Sequence, residues 1–201
     1  MTAEPLDAAR LDALVADARA GSPAAFTALW RQLSPVVAGY VRGRGVGDPD
    51  DLTSEVFLAA YQRLSQFVGG GADFRRWLFT IAHHRAVDDL RQRMRASVEE
   101  PYDPATDPRR SASAESEALA RLAADDALAL LAGLPDDQRN VLLLRVVGEL
   151  PAADVALVLG RSPDAVRQLQ HRALARLRRD LAAGSADRAV TPRGAPTITE
   201  T

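Results

Sequence analysis

An all-α fold in two small helical units is predicted by three features of this sequence. Apolar residues recur at three- and four-residue spacing in nearly every segment, and the strict alternation of a half-buried strand is almost absent. Helix-start pairs, Ser-Pro or Asp-Pro, stand at 22, 34, 48 and 162. Between 96 and 116 the periodicity stops in ASVEEPYDPATDPRRSASAES, a Pro- and Ser-rich run with the composition of a flexible linker.

The first unit reads as short helices in close succession. From Asp7 to Ala20 a stripe of Leu11, Leu14, Val15 and Ala18 predicts an amphipathic helix that Gly21 ends. Ser22-Pro23 restarts the chain, with Phe26, Leu29, Trp30 and Leu33 as the buried face. Ser34-Pro35 repeats the signal before Val36, Val37, Tyr40 and Val41, and Gly43, Gly45 and Gly47 then break the chain. Asp48-Pro49 opens a helix to about Phe67, with Leu52, Val56, Leu64 and Phe67 inward together with Ala59 or Ala60. On its other face Asp51, Ser54 and Glu55 share one side, at i, i+3 and i+4. Carboxylates so placed fit a catalytic pair, a metal half-site, an acidic docking face or solvated surface.

After the glycines at 69–71 comes DFRRWLFTIAHHRAVDDLRQRMR (73–95), which Asp73 is placed to cap. Residues 75–95 hold six Arg against Asp88 and Asp89, with Phe74 and Trp77 near the start. Such a helix can meet a nucleic-acid backbone with its charges and an unstacked base with its rings. The plain alternative is an amphipathic helix whose Arg face is solvated.

The second unit begins near Glu117, with Leu119, Leu122, Leu128 and Leu131 on one side. LPDDQRNVLLLRVVG follows from Leu134, and Gly148 is read as the residue just past its end. Ala152–Leu159 is a short helix with Val155 and Leu159 inward, and Gly160-Arg161-Ser162 a turn. A basic helix then runs to Leu181, with Val166, Leu169, Ala173 and Leu177 facing the core. Short helix, Gly-containing turn and longer basic helix is the helix-turn-helix pattern. Arg161, Arg167, Gln168, His171 and Arg172 lie at or near the start of its second helix, where Arg and Gln reach base edges. Residues 183–201 read as a disordered tail.

Composition narrows the function classes. All 25 basic residues are Arg, and there is no Cys, so disulfides, thiolate zinc sites and thiol redox chemistry are out. No apolar run approaches the roughly 18 residues that cross a bilayer, and the start lacks a signal peptide's basic and apolar regions. These features predict a cytoplasmic protein without membrane insertion. Neither a metal site nor a cofactor is expected.

The two blocks DLTSEVF (51–57) with FRRWLFTIAHHRAVDDLRQRMR (74–95), and LPDDQRNVLLLRVVGELPAADVALVLGRSPDAVRQLQHRALARLR (134–178), resemble the sigma-70 family, in its extracytoplasmic-function group. The resemblance implies an N-terminal extension over 1–21, sigma domain 2 over 22–95, a linker over 96–116 and sigma domain 4 over 117–182. It implies a non-enzymatic specificity subunit of core RNA polymerase, held at the β′ clamp helices and the β subunit, and nucleoid-associated once bound. Asp51, Ser54 and Glu55 then contact polymerase, with Ser54 standing where Gln is frequent. Arg75, Arg76, His84, Arg85, Asp88 and Arg91 would open and read the −10 element of promoter DNA. Arg161, Arg167, Gln168, His171 and Arg172 would read the −35 element, and an anti-sigma factor is an implied partner. His83 and His84 depart from the common Arg-Asn, and Pro151 from the Ser that usually caps. Two rivals are a stand-alone helix-turn-helix regulator and a metal-dependent hydrolase built on His83, His84, Asp88 and Asp89.

Overall fold

The computed structural model describes residues 7–99 and 127–190, and within them every regular element is helical. Helix α1 spans Ala8–Arg19, α2 Pro23–Gly43, α3 Pro49–Arg63 and α4 Gly71–Glu99. A 3₁₀ turn at Leu64–Gln66 follows α3. In the second unit, residues 127–132 form helix α5. Helix α6 (Asp136–Leu142) runs into a π-helical turn at Leu143–Val147, before α7 (Ala152–Leu159) and α8 (Pro163–Val190). The remainder of the predicted linker, Leu119, Leu122 and the tail beyond 190 lie outside the described residues.

The predicted stripes mostly reach the core. Leu11, Val15 and Ala18 bury one face of α1, and the Asp7 carboxylate accepts from the Arg10 N–H at 2.7 Å as a cap. The two helices expected either side of Pro35 are instead one. Pro35 and Arg31 both lie on the exposed side, so the carbonyl deprived of its donor faces water. Meanwhile Leu29, Leu33, Val37, Tyr40 and Val41 continue a single buried stripe, which outweighs the local break. That stripe leaves Trp30 at its rim, 45% exposed rather than buried.

Asp48 caps α3 through the N–H groups of Asp50 and Asp51, and Phe57 joins Leu52 and Val56 in the core. Helix α4 begins earlier than its predicted Asp73 cap. The Gly71 N–H donates to the Asp12 carboxylate of α1 at 2.5 Å, and Gly70 N–H to Asp73 at 3.2 Å. It also runs through Glu99, past the predicted linker boundary.

Gly148 is not the left-handed residue past α6. It has φ −74°, and the positive angle falls on Glu149, at φ 53°. Gly148 is small for another reason: a Cβ there would meet the Leu144 carbonyl at 2.8 Å and Phe79 of α4 at 3.2 Å. Gly160 does take the left-handed conformation, φ 61°, and ends α7 as a C-cap. Ser162 caps α8 by accepting from the Ala165 N–H at 3.2 Å. Residues 183–190, read from sequence as tail, continue α8.

The units do not stand apart. One apolar cluster runs from Val15, Leu29 and Val37 through Phe79 to Val141, Leu144, Val155 and Val166. Helix α4 packs on α7, and α2 on the π-helical turn.

Candidate nucleic-acid interface

The acidic face of α3 is open. Asp51 and Ser54 are exposed and Glu55 half-exposed; Ser54 returns its hydroxyl to the Asp50 carbonyl at 3.0 Å. Glu55 accepts from Arg85 of α4 at 3.1 Å, so the acidic face meets the basic helix at one point. Leu58 (58% exposed) lies one turn on from Ser54 and Glu55 and adds an apolar side chain that sequence reasoning passed over. Exposure of a large apolar residue beside open carboxylates is the signal that finds it.

The predicted −10 residues divide into two groups. His84, Arg85, Asp88 and Arg91 lie on the exposed side of α4, with Arg91 3.8 Å from Asp88. Arg75 and Arg76, in contrast, are turned to the second unit. Arg75 donates to Glu149 at 2.6 Å, and Arg76 to Asp154 at 3.1 Å and to Asp73 at 2.7 Å. The Asp154 hydrogen bond, above all, raises the Arg76 pKa further. Trp77 stacks on Phe67 with ring centres 5.0 Å apart and also touches Phe74, so it anchors the helix start. It nevertheless lines an open cleft of about 500 Å³ with Arg63, Val68, Asp73, Arg76 and Thr80. That cleft mixes an aromatic ring, two guanidiniums and a hydroxyl.

His83 turns inward beside its exposed neighbour. Its Nδ1 and the Tyr40 hydroxyl share a hydrogen bond of 3.0 Å, near the buried Arg44. Burial first, then the Arg44 charge and His84, lower its pKa from 6.5 to about 4, against a smaller opposing pull from Asp136. The neutral imidazole is therefore the folded form at neutral pH. A folded pKa below the unfolded one means the stabilisation is complete above pH 6.5 and is lost as the pH falls towards 4. Denaturant titrations at neutral and at mildly acid pH should show a loss on the order of 1 kcal/mol that His83→Gln lacks.

In the second unit the α7–turn–α8 geometry is a helix-turn-helix, with Val155 and Val166 packed between its arms. Arg167, Gln168, His171 and Arg172 are all exposed along the first turns of α8. Arg167 is paired with Asp164, and Arg161 donates to Asp137 at 2.6 Å. Leu169 packs on the core, while Gln170 accepts from Arg145 at 3.2 Å, so neither is free for a base. Beside α8 an apolar groove of about 240 Å³ is lined by Leu130, Leu142, Val146, Leu174 and Leu177, among others. Among the described residues no three His, Asp or Glu side chains converge as a metal site, and no helix is long and apolar enough to cross a membrane.

A helical unit with an acidic face and a basic helix, joined to a helix-turn-helix, defines an all-α protein of the nucleic-acid-binding class. Residues 29–96 match the family described as Sigma-70 region 2, and residues 124–177 that described as Sigma-70, region 4. The chain is 38% identical over 185 residues to the ECF RNA polymerase sigma factor SigD of Mycobacterium tuberculosis, covering 87% of this chain and 85% of SigD. It is 38% identical over 178 residues to ShbA of Streptomyces griseus, an ECF RNA polymerase sigma factor, covering 84% and 93%. The solved structure of CnrH in complex with the cytosolic domain of CnrY superimposes with a TM-score of 0.64 at 28% identity, over 86% of this chain and 98% of that one. Bartonella quintana RpoE, co-crystallised with the anti-sigma factor NepR, shares the fold at 20% identity and a TM-score of 0.61, over 78% and 96%. The chain belongs to the sigma-70 family of RNA polymerase sigma factors, in the extracytoplasmic-function group. Two family matches in series disfavour a stand-alone helix-turn-helix regulator, and sigma factors are initiation factors rather than classical enzymes.

Proposed function

We propose that this chain directs core RNA polymerase to promoters through three separate surfaces and performs no chemical step itself. Asp51, Ser54 and Glu55 on α3 dock on the β′ clamp helices, and Leu58 extends that contact. Arg75, Arg76, His84, Arg85, Asp88 and Arg91 hold and open the −10 element, and the cleft beside Trp77 suits an unstacked base. Arg161, Arg167, Gln168, His171 and Arg172 read the −35 element in the major groove. The domain 2 unit is taken as 22–95 and the domain 4 unit as 117–182, with the acidic stretch between them as tether. The apolar groove beside α8 suits a helix of the β subunit. An anti-sigma partner that masks these surfaces belongs to the same reading, as does residence on the nucleoid once polymerase is bound.

The observation that supports this best is the separation of charge. An open acidic face sits on α3, while exposed Arg85 and Arg91 sit on α4 and exposed Arg167 and Arg172 on the first turns of α8. Run-off transcription from a promoter library, with purified core polymerase with and without this protein, tests it. New transcripts sharing a two-element motif are expected. Silence with a cognate core that responds to another sigma factor overturns the reading. Asp51→Ala with Glu55→Ala should weaken core binding about 100-fold in a pull-down or titration, since each charged contact is worth about 1.5 kcal/mol or more. Folding should be little affected, because Asp51 is exposed and the Glu55–Arg85 ion pair is close to half exposed on both sides.

A further inference from the structure

We propose that Asp12 of α1 is a positioning residue for promoter opening, which caps α4 from outside and fixes the side chains of its first turns. The proposal rests on the reading of Arg75 and Arg76 as −10 contacts. Helix α1 lies before the unit taken as 22–95, yet it is built into the start of α4. The first N–H groups of an α-helix have no partner inside it, and the residue just ahead of the first turn ordinarily supplies an accepting side chain. Here that residue is Gly70, which has none. The acceptor comes instead from 59 residues earlier in the chain. Buried Gly71 donates its N–H to the Asp12 carboxylate at 2.5 Å. A carboxylate at this end of a helix also lies against the positive pole of the helix dipole.

The three glycines at 69–71 each answer to this arrangement. Gly69 has φ 142°, a conformation open to glycine, and a Cβ there would also meet the Asp73 side chain at 2.6 Å. A Cβ on Gly70 would stand 2.6 Å from the Asp12 carboxylate, and one on Gly71 2.5 Å from Leu11. Two of the three are therefore small in order to admit α1. Hydrogen bonds carry the placement onward. The Asp73 carboxylate accepts from the Gly70 N–H at 3.2 Å with one oxygen and from Arg76 at 2.7 Å with the other. Asp73 and Arg76 both line the open cleft beside Trp77, whereas Asp12 does not. Asp12 thus acts through the glycine loop rather than by touching DNA. Its loss strands the Gly71 N–H, frays the first turn of α4 and frees Asp73 and Arg76 from their fixed places.

Two readouts on full-length protein test this. Amide hydrogen exchange of residues 70–77 reads the cap in the free protein. Permanganate reactivity of unpaired thymines, with cognate core polymerase at a promoter from the run-off library, reads opening. Asp12→Ala should speed the exchange and lower the thymine reactivity about 5-fold each, with core binding unchanged. Asp12→Asn keeps an accepting oxygen and should restore both to within about 2-fold of wild type. Gly70→Ala, at a position without a positive φ, sets a methyl against the carboxylate and should reproduce the loss. Added to Asp12→Ala it should cost nothing more. Ser22→Ala is the stability control, since Ser22 caps α2 by accepting from the Ala25 N–H at 3.3 Å. It should lower the unfolding midpoint as Asp12→Ala does, yet leave the exchange of 70–77 and the thymine reactivity unchanged. Unmoved exchange in Asp12→Ala, or a loss of reactivity that Ser22→Ala matches, overturns the proposal. So does normal reactivity in Asp12→Ala where the wild type opens its promoter. A wild type that opens no promoter instead removes α4 from the −10 element, and the promoter role of Asp12 falls with it.

Discussion

Phe79→Ala should destabilise the protein by about 3–5 kcal/mol, the largest thermodynamic effect of any single substitution considered. Phe79 has no exposed surface, and its ring meets Tyr40 edge-on at 5.5 Å. Beyond Tyr40 it fills the hollow made by Gly148, so it belongs to both units at once. Truncation removes the transfer energy of a whole ring and leaves a cavity that two helices and a glycine cannot collapse to fill. Total stability of a natural domain is about 5–15 kcal/mol, so the variant stands near the threshold of unfolding. Thermal unfolding should shift downward by about 10 °C. Leu78→Ala, one residue earlier and equally buried, makes the useful comparison. A truncation felt only within the first unit leaves the unfolding of the second unchanged, whereas Phe79→Ala should lower both together. Two separate transitions in the wild type, with only one responding to Phe79→Ala, would contradict a shared core.

Much of this architecture was legible in the sequence because its signals are local. Ser22-Pro23, Asp48-Pro49 and Ser162-Pro163 begin helices where capping chemistry says they should. The α1 stripe and the α7–turn–α8 pattern likewise follow from spacing and one left-handed glycine. What was misread depends on distant neighbours. Ser34-Pro35 carries the same local signal as Ser22-Pro23, yet a buried stripe spanning it keeps α2 whole. Gly148 does follow the last helical residue, but the left-handed angle falls on Glu149, and the smallness of the glycine answers to Phe79, 69 residues away in sequence. The charged side chains of the candidate site divide in the same way. Exposure of Asp51, Arg91 and Arg172 follows from helical phase alone. The pairing of Arg75 with Glu149, and of Arg76 with Asp154, belongs to the packing of one unit on the other and leaves no trace in either motif. His83 and His84 make the smallest example: adjacent residues, one turned to Tyr40 and one to solvent.

The Arg76–Asp154 pair allows a prediction in which the two partners act in opposite directions. Arg76→Ala and Asp154→Asn break the same 3.1 Å contact and should loosen the seam between the two units to a similar degree. If the pair were only structural, both variants would change transcription alike. With Arg76 also a −10 contact, its loss removes a charged hydrogen bond worth about 1.5–3 kcal/mol from the opened promoter. Arg76→Ala should therefore lower run-off transcripts about 10- to 100-fold at saturating core polymerase, and Arg75→Ala with it should lower them further. Asp154→Asn keeps both arginines and should hold or raise the yield. Core binding should remain normal in all of them, because the proposed polymerase-docking face of α3 is untouched. The half-buried positions of Arg76 and Asp154, 31% and 18% exposed, make the pair more than a screened surface contact, so the seam should respond to either change. Permanganate reactivity of unpaired thymines separates melting from recruitment. Arg76→Ala should lose that reactivity while still occupying the promoter, since the proposed −35 contacts Arg167, Gln168 and Arg172 are unchanged. Equal losses from Arg76→Ala and Asp154→Asn would make the pair a strut and take Arg76 out of the promoter-opening surface.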